Sequence, residues 1–286
     1  MSDKTIGFIG LGLIGGSIAK ALRRVHPEYR LIAYNRSRSS LVEAMSDGTI
    51  NQATDVIDAS FAECDFIFLC MPVSVNIQCL KKLKDLVPDT CVITDVGSVK
   101  STIHEAVREL GMETRFIGGH PMAGREKFGY DASNAELFRG ASMILTPCED
   151  VPAEDLARAQ ALFYELGFGR MCICTPAEHD RMIAYTSQLA HVVSSAYVQS
   201  PASLSHVGFS AGSFQDMTRV ARLYEPMWTE LFLNNAEPLA MEIDGLVERL
   251  QAFSDAIRSG DRQGLFEMLH RGRVRKELLN EREKQR

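Results

Sequence analysis

The chain has 286 residues and seven cysteines, yet no CxxC pair. Cys172 and Cys174 lie two apart on an expected strand and lack a second pair to complete a metal site. The expectation is therefore that most are small buried thiols in a reducing compartment, with neither a zinc site nor a disulfide framework. No stretch is long and apolar enough to span a bilayer. Asp3 and Lys4 lead straight into a strand pattern, so no secretory leader is expected and the location read from the sequence is cytoplasmic. Positive charge is also short: a net charge of −6 argues against nucleic acid or an anionic membrane as the main partner. There is no internal repeat and no low-complexity linker. What remains is an ordinary globular composition, 45% hydrophobic and 24% charged, at a length that accommodates two domains.

Residues 5–174 alternate short apolar runs with helical patterns. The runs are 5–10, 30–34, 65–71, 91–96, 115–119, 141–145 and 170–174. Several are continuous, such as Asp65-Phe66-Ile67-Phe68-Leu69-Cys70-Met71. Strands buried on both faces read this way, which predicts a mostly parallel sheet between helical layers. A helix over roughly 152–166 starts at Pro152 and stops at Gly167. After residue 174 the pattern changes: Thr175-Pro176-Ala177-Glu178 is a capping box with proline at the first helical position. Helical patterns then run to the end, with breaks expected near 201–212, Pro226, Pro238 and Gly260. The expected fold is an α/β Rossmann-type doubly wound domain over 1–174, followed by an all-α domain over 175–286. The last stretch, 271–286, reads as a solvated terminal helix.

Gly10-Leu11-Gly12-Leu13-Ile14-Gly15 is a GxGxxG loop between the first strand and the first helix. Gly10 permits the tight turn, Gly12 lets the backbone approach a pyrophosphate, and Gly15 allows the helix to sit close to the strand. The helix N-terminus offers free N–H donors to phosphate. This context predicts dinucleotide binding. The second strand ends in Asn35-Arg36-Ser37-Arg38, with no acidic residue to hold the ribose hydroxyls of NAD. Two guanidiniums there predict a preference for NADP over NAD.

In an open parallel sheet, ligands bind outside the carboxyl ends of the strands. Besides the glycine loop and Asn35, Arg36 and Ser37, those ends carry Met71 and Pro72, Ser98 within Asp95-Val96-Gly97-Ser98-Val99-Lys100, and His120 within Gly118-Gly119-His120-Pro121. Six residues past His120 comes Glu126. A histidine at a strand end is either satisfied within its loop or placed to exchange a proton with a ligand. His179, Ile183, Ser187 and His191 follow at four-residue steps and share one ridge of an α-helix beginning at 176. Arg219 closes a small-residue loop leading into a helix, where it forms either a surface ion pair or a bidentate carboxylate clamp.

The glycine loop, DVGSVK (95–100), GHPMAGRE (119–126), EHD (178–180), SQLAH (187–191) and DMTR (216–219) together resemble the prephenate/arogenate dehydrogenase family over nearly the whole chain, in the family's motif order. Gln188 and Ala190 depart from it, standing where many members carry histidine and proline. The resemblance implies NAD(P)-dependent oxidative decarboxylation of prephenate to 4-hydroxyphenylpyruvate in tyrosine biosynthesis, with arogenate as the alternative substrate. It implies that His120 accepts the proton of the ring 4-hydroxyl, that Ser98 supports it, and that Arg219 binds a substrate carboxylate. Glu126, His179 and His191 would line the site. It further implies a homodimer joined through the helical domain. The chain's length leaves no room for the chorismate mutase or small regulatory domain that some members carry. β-Hydroxyacid dehydrogenases resemble the first half, but they use a lysine on the interdomain helix. Here no lysine occurs between Lys127 and Lys276.

Overall fold

The structure, a computed structural model, describes residues 4–125 and 127–284. Its described residues form one eight-stranded sheet: β1 (Thr5–Ile9), β2 (Arg30–Tyr34), β3 (Gln52–Thr54), β4 (Phe66–Leu69), β5 (Val92–Asp95), β6 (Phe116–Pro121), β7 (Ser142–Pro147) and β8 (Arg170–Ile173). The spatial order is β3-β2-β1-β4-β5-β6-β7-β8. All pairs are parallel except β6–β7. The helices are α1 (Leu13–Val25), α2 (Arg38–Ser46), α3 (Val73–Leu83), α4 (Ser101–Glu109), α5 (Ala153–Glu165), α6 (Pro176–Ile183), α7 (Leu189–Val198), α8 (Gly212–Thr218), α9 (Glu225–Leu233), α10 (Ala236–Ser259) and α11 (Arg262–Lys284). None is long and apolar enough to cross a membrane.

The continuous apolar runs behave as a two-sided sheet requires. On β4, Phe66 and Phe68 join one core with Ile18 and Leu22 of α1 and Ala159 and Phe163 of α5. Their alternates Ile67 and Leu69 join a second core with Leu80 and Leu83 of α3 and Ile103 and Val107 of α4. Successive side chains on a strand point to opposite faces, so an unbroken apolar run feeds both helical layers at once. This is the doubly wound Rossmann-type arrangement, and it turns the carboxyl ends of β1, β2, β4, β5 and β6 toward one rim.

Three local expectations are corrected. The apolar runs omit β3, whose Gln52-Ala53-Thr54 carries no apolar run; pairing with β2 alone makes it a strand. The breaks expected near Pro226 and Pro238 are present at residues 219–224 and 234–235, and each proline sits in the first turn of the helix that follows, α9 or α10, where a missing N–H is no loss. Gly260, with φ +67°, does end α10. The thiols are less buried than composition predicts: Cys64, Cys79 and Cys91 are buried, Cys172 is exposed and the other three are intermediate. Finally, a π-helical segment, Ala184–Gln188, separates α6 from α7. Its wider turn breaks the four-residue stepping, so His179, Ile183, Ser187 and His191 do not share one α-helical ridge.

The capping box forms as expected. The Thr175 N–H and hydroxyl donate to Glu178 Oε2 at 3.0 and 2.9 Å, and the Glu178 N–H donates back to Thr175 Oγ1 at 3.2 Å. The chain divides into two compact units, 1–183 with 223–235, and 184–222 with 236–286. α6 and α9 thus belong to the sheet-bearing unit. The second unit is helical throughout its regular elements.

Candidate active site

The glycine loop has the shape its spacing requires. Gly10 has φ +108°, and a Cβ there would come within 2.9 Å of Met71 Sδ. Gly15 holds α1 against the loop, where an added Cβ would sit 2.2 Å from the Gly10 carbonyl oxygen. Gly12 is different: nothing lies within 4 Å of a Cβ built on it, so the backbone there faces open space. Gly12 is also the N-cap of α1, with no side-chain cap and no acidic residue in the first turn, which Leu13 and Ile14 begin. Unsatisfied N–H groups, the positive end of a helix and an open cradle fit a pyrophosphate.

Neighbouring polar groups brace this loop. Asn35 is buried; its Oδ1 accepts from the Leu11 N–H at 3.4 Å and its Nδ2 donates to the Ser37 carbonyl at 3.1 Å. Its amide is thus engaged in joining β1's loop to β2's end. Arg36 is exposed, whereas the Arg38 guanidinium is paired with Asp55, its Nε donating at 3.2 Å. Met71 and Pro72 follow β4. The fully buried Asn76 accepts from the Met71 N–H at 3.1 Å and donates to the Met71 carbonyl at 2.8 Å, holding that turn.

Beyond β5, a fully buried ion pair anchors the segment that carries Ser98. Lys100 Nζ bonds Asp95 Oδ2 and also donates to the Gly119 carbonyl at 2.7 Å. Asp95 accepts from the Gly97 N–H at 2.8 Å and the Gly119 N–H at 3.1 Å. Taking two charges out of water is tolerable only with such extra hydrogen bonds. The result ties the β5 loop to β6 one residue before His120. Ser98 lies on this loop, half-buried.

His120 is half-buried, with Nδ1 2.9 Å from Nε2 of His179. His179 is buried, and its own Nδ1 is 2.7 Å from Asp180 Oδ1. Burial first, then the neighbouring His179 and Lys100, hold His120 well below the usual histidine pKa. Burial lowers His179 too, against the opposing pull of Asp180. Burial alone would raise Asp180, but hydrogen bonds from His179 and from the Ser101 and Lys100 amides outweigh it and keep the carboxyl low. Both imidazoles are therefore neutral near pH 7 and the carboxylate is ionised.

The helical unit has its own pocket of about 470 Å³, which brings His191 and Arg219 together with Ser187, Asp216 and Met217. The His191 Nδ1–H donates to the Ser187 carbonyl at 2.9 Å, which leaves Nε2 as the acceptor nitrogen in the neutral ring. Glu126 lies outside the described residues. Sequence reasoning did not single out Asp95, Lys100, Asn76 or Asp180. Asp95, Lys100 and Asp180 stood inside the quoted motifs, and a charged residue within a motif, at the end of β5 for Asp95 and Lys100 and on α6 for Asp180, was the available signal. Among the described residues no group of three or more His, Cys, Asp or Glu side chains could hold a metal ion.

Comparison with known proteins matches residues 18–172 to the prephenate dehydrogenase nucleotide-binding domain and residues 175–271 to the prephenate dehydrogenase dimerization domain. Prephenate dehydrogenase of Lactococcus lactis subsp. cremoris is 32% identical over 280 residues, covering 94% of this chain and 76% of the relative. Among solved structures, prephenate dehydrogenase from A. aeolicus in complex with hydroxyphenyl propionate and NAD+ superposes with TM-score 0.85 at 28% identity, covering 98% of this chain and 99% of its own. Synechocystis arogenate dehydrogenase gives TM-score 0.84 at 30% identity, covering 96% and 99%.

Proposed function

The chain belongs to the prephenate dehydrogenase family, and from that premise we propose that it catalyses the NAD(P)-dependent oxidative decarboxylation of prephenate to 4-hydroxyphenylpyruvate, in the cytoplasm and as a step of tyrosine biosynthesis. The observation that carries this reading is His120, a neutral imidazole at the carboxyl end of β6, backed by a second histidine at 2.9 Å. Gly10, Gly12 and Gly15, with the first N–H groups of α1 at Leu13 and Ile14, would hold the dinucleotide phosphates. Asn35, Arg36, Ser37, Met71 and Pro72 would flank the adenosine side. The chemistry the dinucleotide supplies when bound is acceptance of hydride from the carbinol carbon, as the ring loses carbon dioxide and becomes aromatic. Because aromatisation provides driving force, the protein's tasks are to orient the substrate, hold its carboxylates and remove one proton. His120 takes the hydroxyl proton, with Ser98 supporting the same oxygen. Arg219, beside His191, clamps a carboxylate; Glu126 belongs to the same set by motif.

The likeness to an arogenate dehydrogenase supports a second reading, in which the substrate carries an amino group in place of the side-chain keto group. For the cofactor we favour NADP. No carboxylate follows β2 to repel a 2′-phosphate, and Arg36 is exposed there, although Asp55 engages Arg38. A four-way assay, prephenate or arogenate with NAD or NADP, tests all of this. The highest kcat/KM is expected for prephenate with NADP. Arogenate as the better substrate selects the second reading, NAD as the better cofactor overturns the NADP preference, and no turnover with either acid refutes the proposed activity.

A further inference from the structure

Asp180, His179 and His120 form a line of hydrogen bonds whose direction follows from chemistry. An ionised carboxylate only accepts. Asp180 Oδ1 already accepts from the Lys100 N–H at 2.8 Å and Oδ2 from the Ser101 N–H at 2.7 Å. The proton between Asp180 and His179 must therefore sit on His179 Nδ1, 2.7 Å from Oδ1. A neutral His179 with its proton on Nδ1 has only a lone pair on Nε2. That atom is 2.9 Å from His120 Nδ1, so His120 must be the donor there. One tautomer of His120 satisfies the line, with Nδ1 protonated and Nε2 bare.

We infer that Asp180 and His179 are positioning residues that lock His120 in the tautomer whose Nε2 is free to take the substrate's hydroxyl proton. The inference rests on the reading of His120 as the base and gives His179 a task other than lining the substrate. In the step itself the substrate O–H bond breaks, the electron pair stays on oxygen and the proton arrives on Nε2. The imidazolium so formed keeps its Nδ1–H bond to His179, with the Asp180 carboxylate behind. The charged and titratable groups facing His120 are His179 and Asp180 from α6 and Lys100 from the start of α4. Lys100 is in turn paired with Asp95 of β5. The arrangement also explains why a carboxylate is anchored so firmly. Asp180 accepts both leading amides of α4, and its carbonyl accepts from the buried Asn235 Nδ2 at 2.9 Å. A relay of this kind needs an end that does not move.

The test compares His179→Leu, which removes the acceptor, with His179→Gln, which can present an oxygen to His120 Nδ1. Both are measured on the full chain with prephenate and saturating cofactor, beside His120→Asn. The leucine variant is expected to lose about 10²-fold in kcat with KM changed less than about threefold, and glutamine to recover at least about tenfold. Equal losses in the two variants, or a rise in KM with kcat intact, would overturn the relay. A ¹⁵N-histidine spectrum of the wild type near pH 7.5 supplies a reading that needs no mutant. Protonated Nδ1 and bare Nε2 on His120 are expected, and the opposite tautomer overturns the inference even if the leucine variant fails to fold. A His120→Asn variant with wild-type kcat would instead remove the base reading on which the inference stands. A crippled His120→Asn beside an unaffected His179→Leu removes the relay alone.

Discussion

Replacing His120 by asparagine takes away the ring nitrogen proposed to accept a proton, and kcat is expected to fall ~10²–10⁴-fold. A variant within twofold of wild type would remove this residue from the mechanism. Arg219→Ala is expected to raise KM about 10–10²-fold with a smaller change in kcat, as loss of a charged hydrogen bond made in ground and transition state alike. An unchanged KM would count against the clamp. A third residue bears on stability. His104 is buried between Thr146 Oγ1 at 2.9 Å and Cys148 Sγ at 3.3 Å, and burial pushes its pKa down to about 4. Its ordinary value is about 6.5, so between those limits the unfolded chain binds the proton and the folded chain does not. Stability therefore falls as pH drops from 6.5 toward 4, by on the order of 3 kcal/mol from this group. Urea unfolding at pH 7 and pH 4.5 should show the loss, with a flatter dependence in His104→Gln. His120 and His179, lowered in the same direction, keep part of the slope. An unaltered slope in the variant would assign the effect elsewhere.

At the scale of elements, the glycine loop keeps apart the two roles that its spacing assigns to Gly12 and Gly15. Gly12→Ala has room for its methyl group and is expected to fold with little change in Tm. The methyl occupies the space proposed for the pyrophosphate, so dinucleotide Kd should rise about tenfold or more. Gly15→Ala drives a Cβ against the Gly10 carbonyl, so the loop itself must shift and Tm should fall as well. Calorimetry and cofactor titration of the two variants distinguish these outcomes; equal Tm values would refute the distinction. Element types were legible where one local signal dominated: the apolar runs of β1, β2 and β4, the capping box of α6, and the proline and glycine bounding α5. β3 was invisible because its three residues owe their conformation to a neighbour. The π segment was invisible because a helix of either pitch shows the same residues; only the backbone reveals the wider turn.

For the whole molecule, the match to a dimerization domain and the exposed apolar residues of α10 and α11 support a homodimer. Met241, Val247, Leu250 and Ile257 on α10 and Phe266 and Leu269 on α11 are each at least 57% exposed. Light scattering on a size-exclusion column is expected to give twice the 31.7 kDa chain mass. Leu250→Glu with Ile257→Glu should shift it toward monomer, since burying those charges is unfavourable. A monomeric wild type would refute the proposal.

The residues alone determined the doubly wound sheet, the dinucleotide loop and the position of His120 at a strand end, because each rests on local grammar: two-sided apolar runs, glycine spacing and strand-end placement. Asp180 illustrates what local grammar cannot supply. It stands next to His179 in the chain, yet its carboxylate is fixed by amides about 80 residues away, at the start of α4. Asp95 and Lys100 likewise meet Gly119 only through the pairing of β5 with β6. Only tertiary structure brings His179 and Asp180 into line with His120, and the tautomer inferred for His120 rests on those partners rather than on its place in the chain.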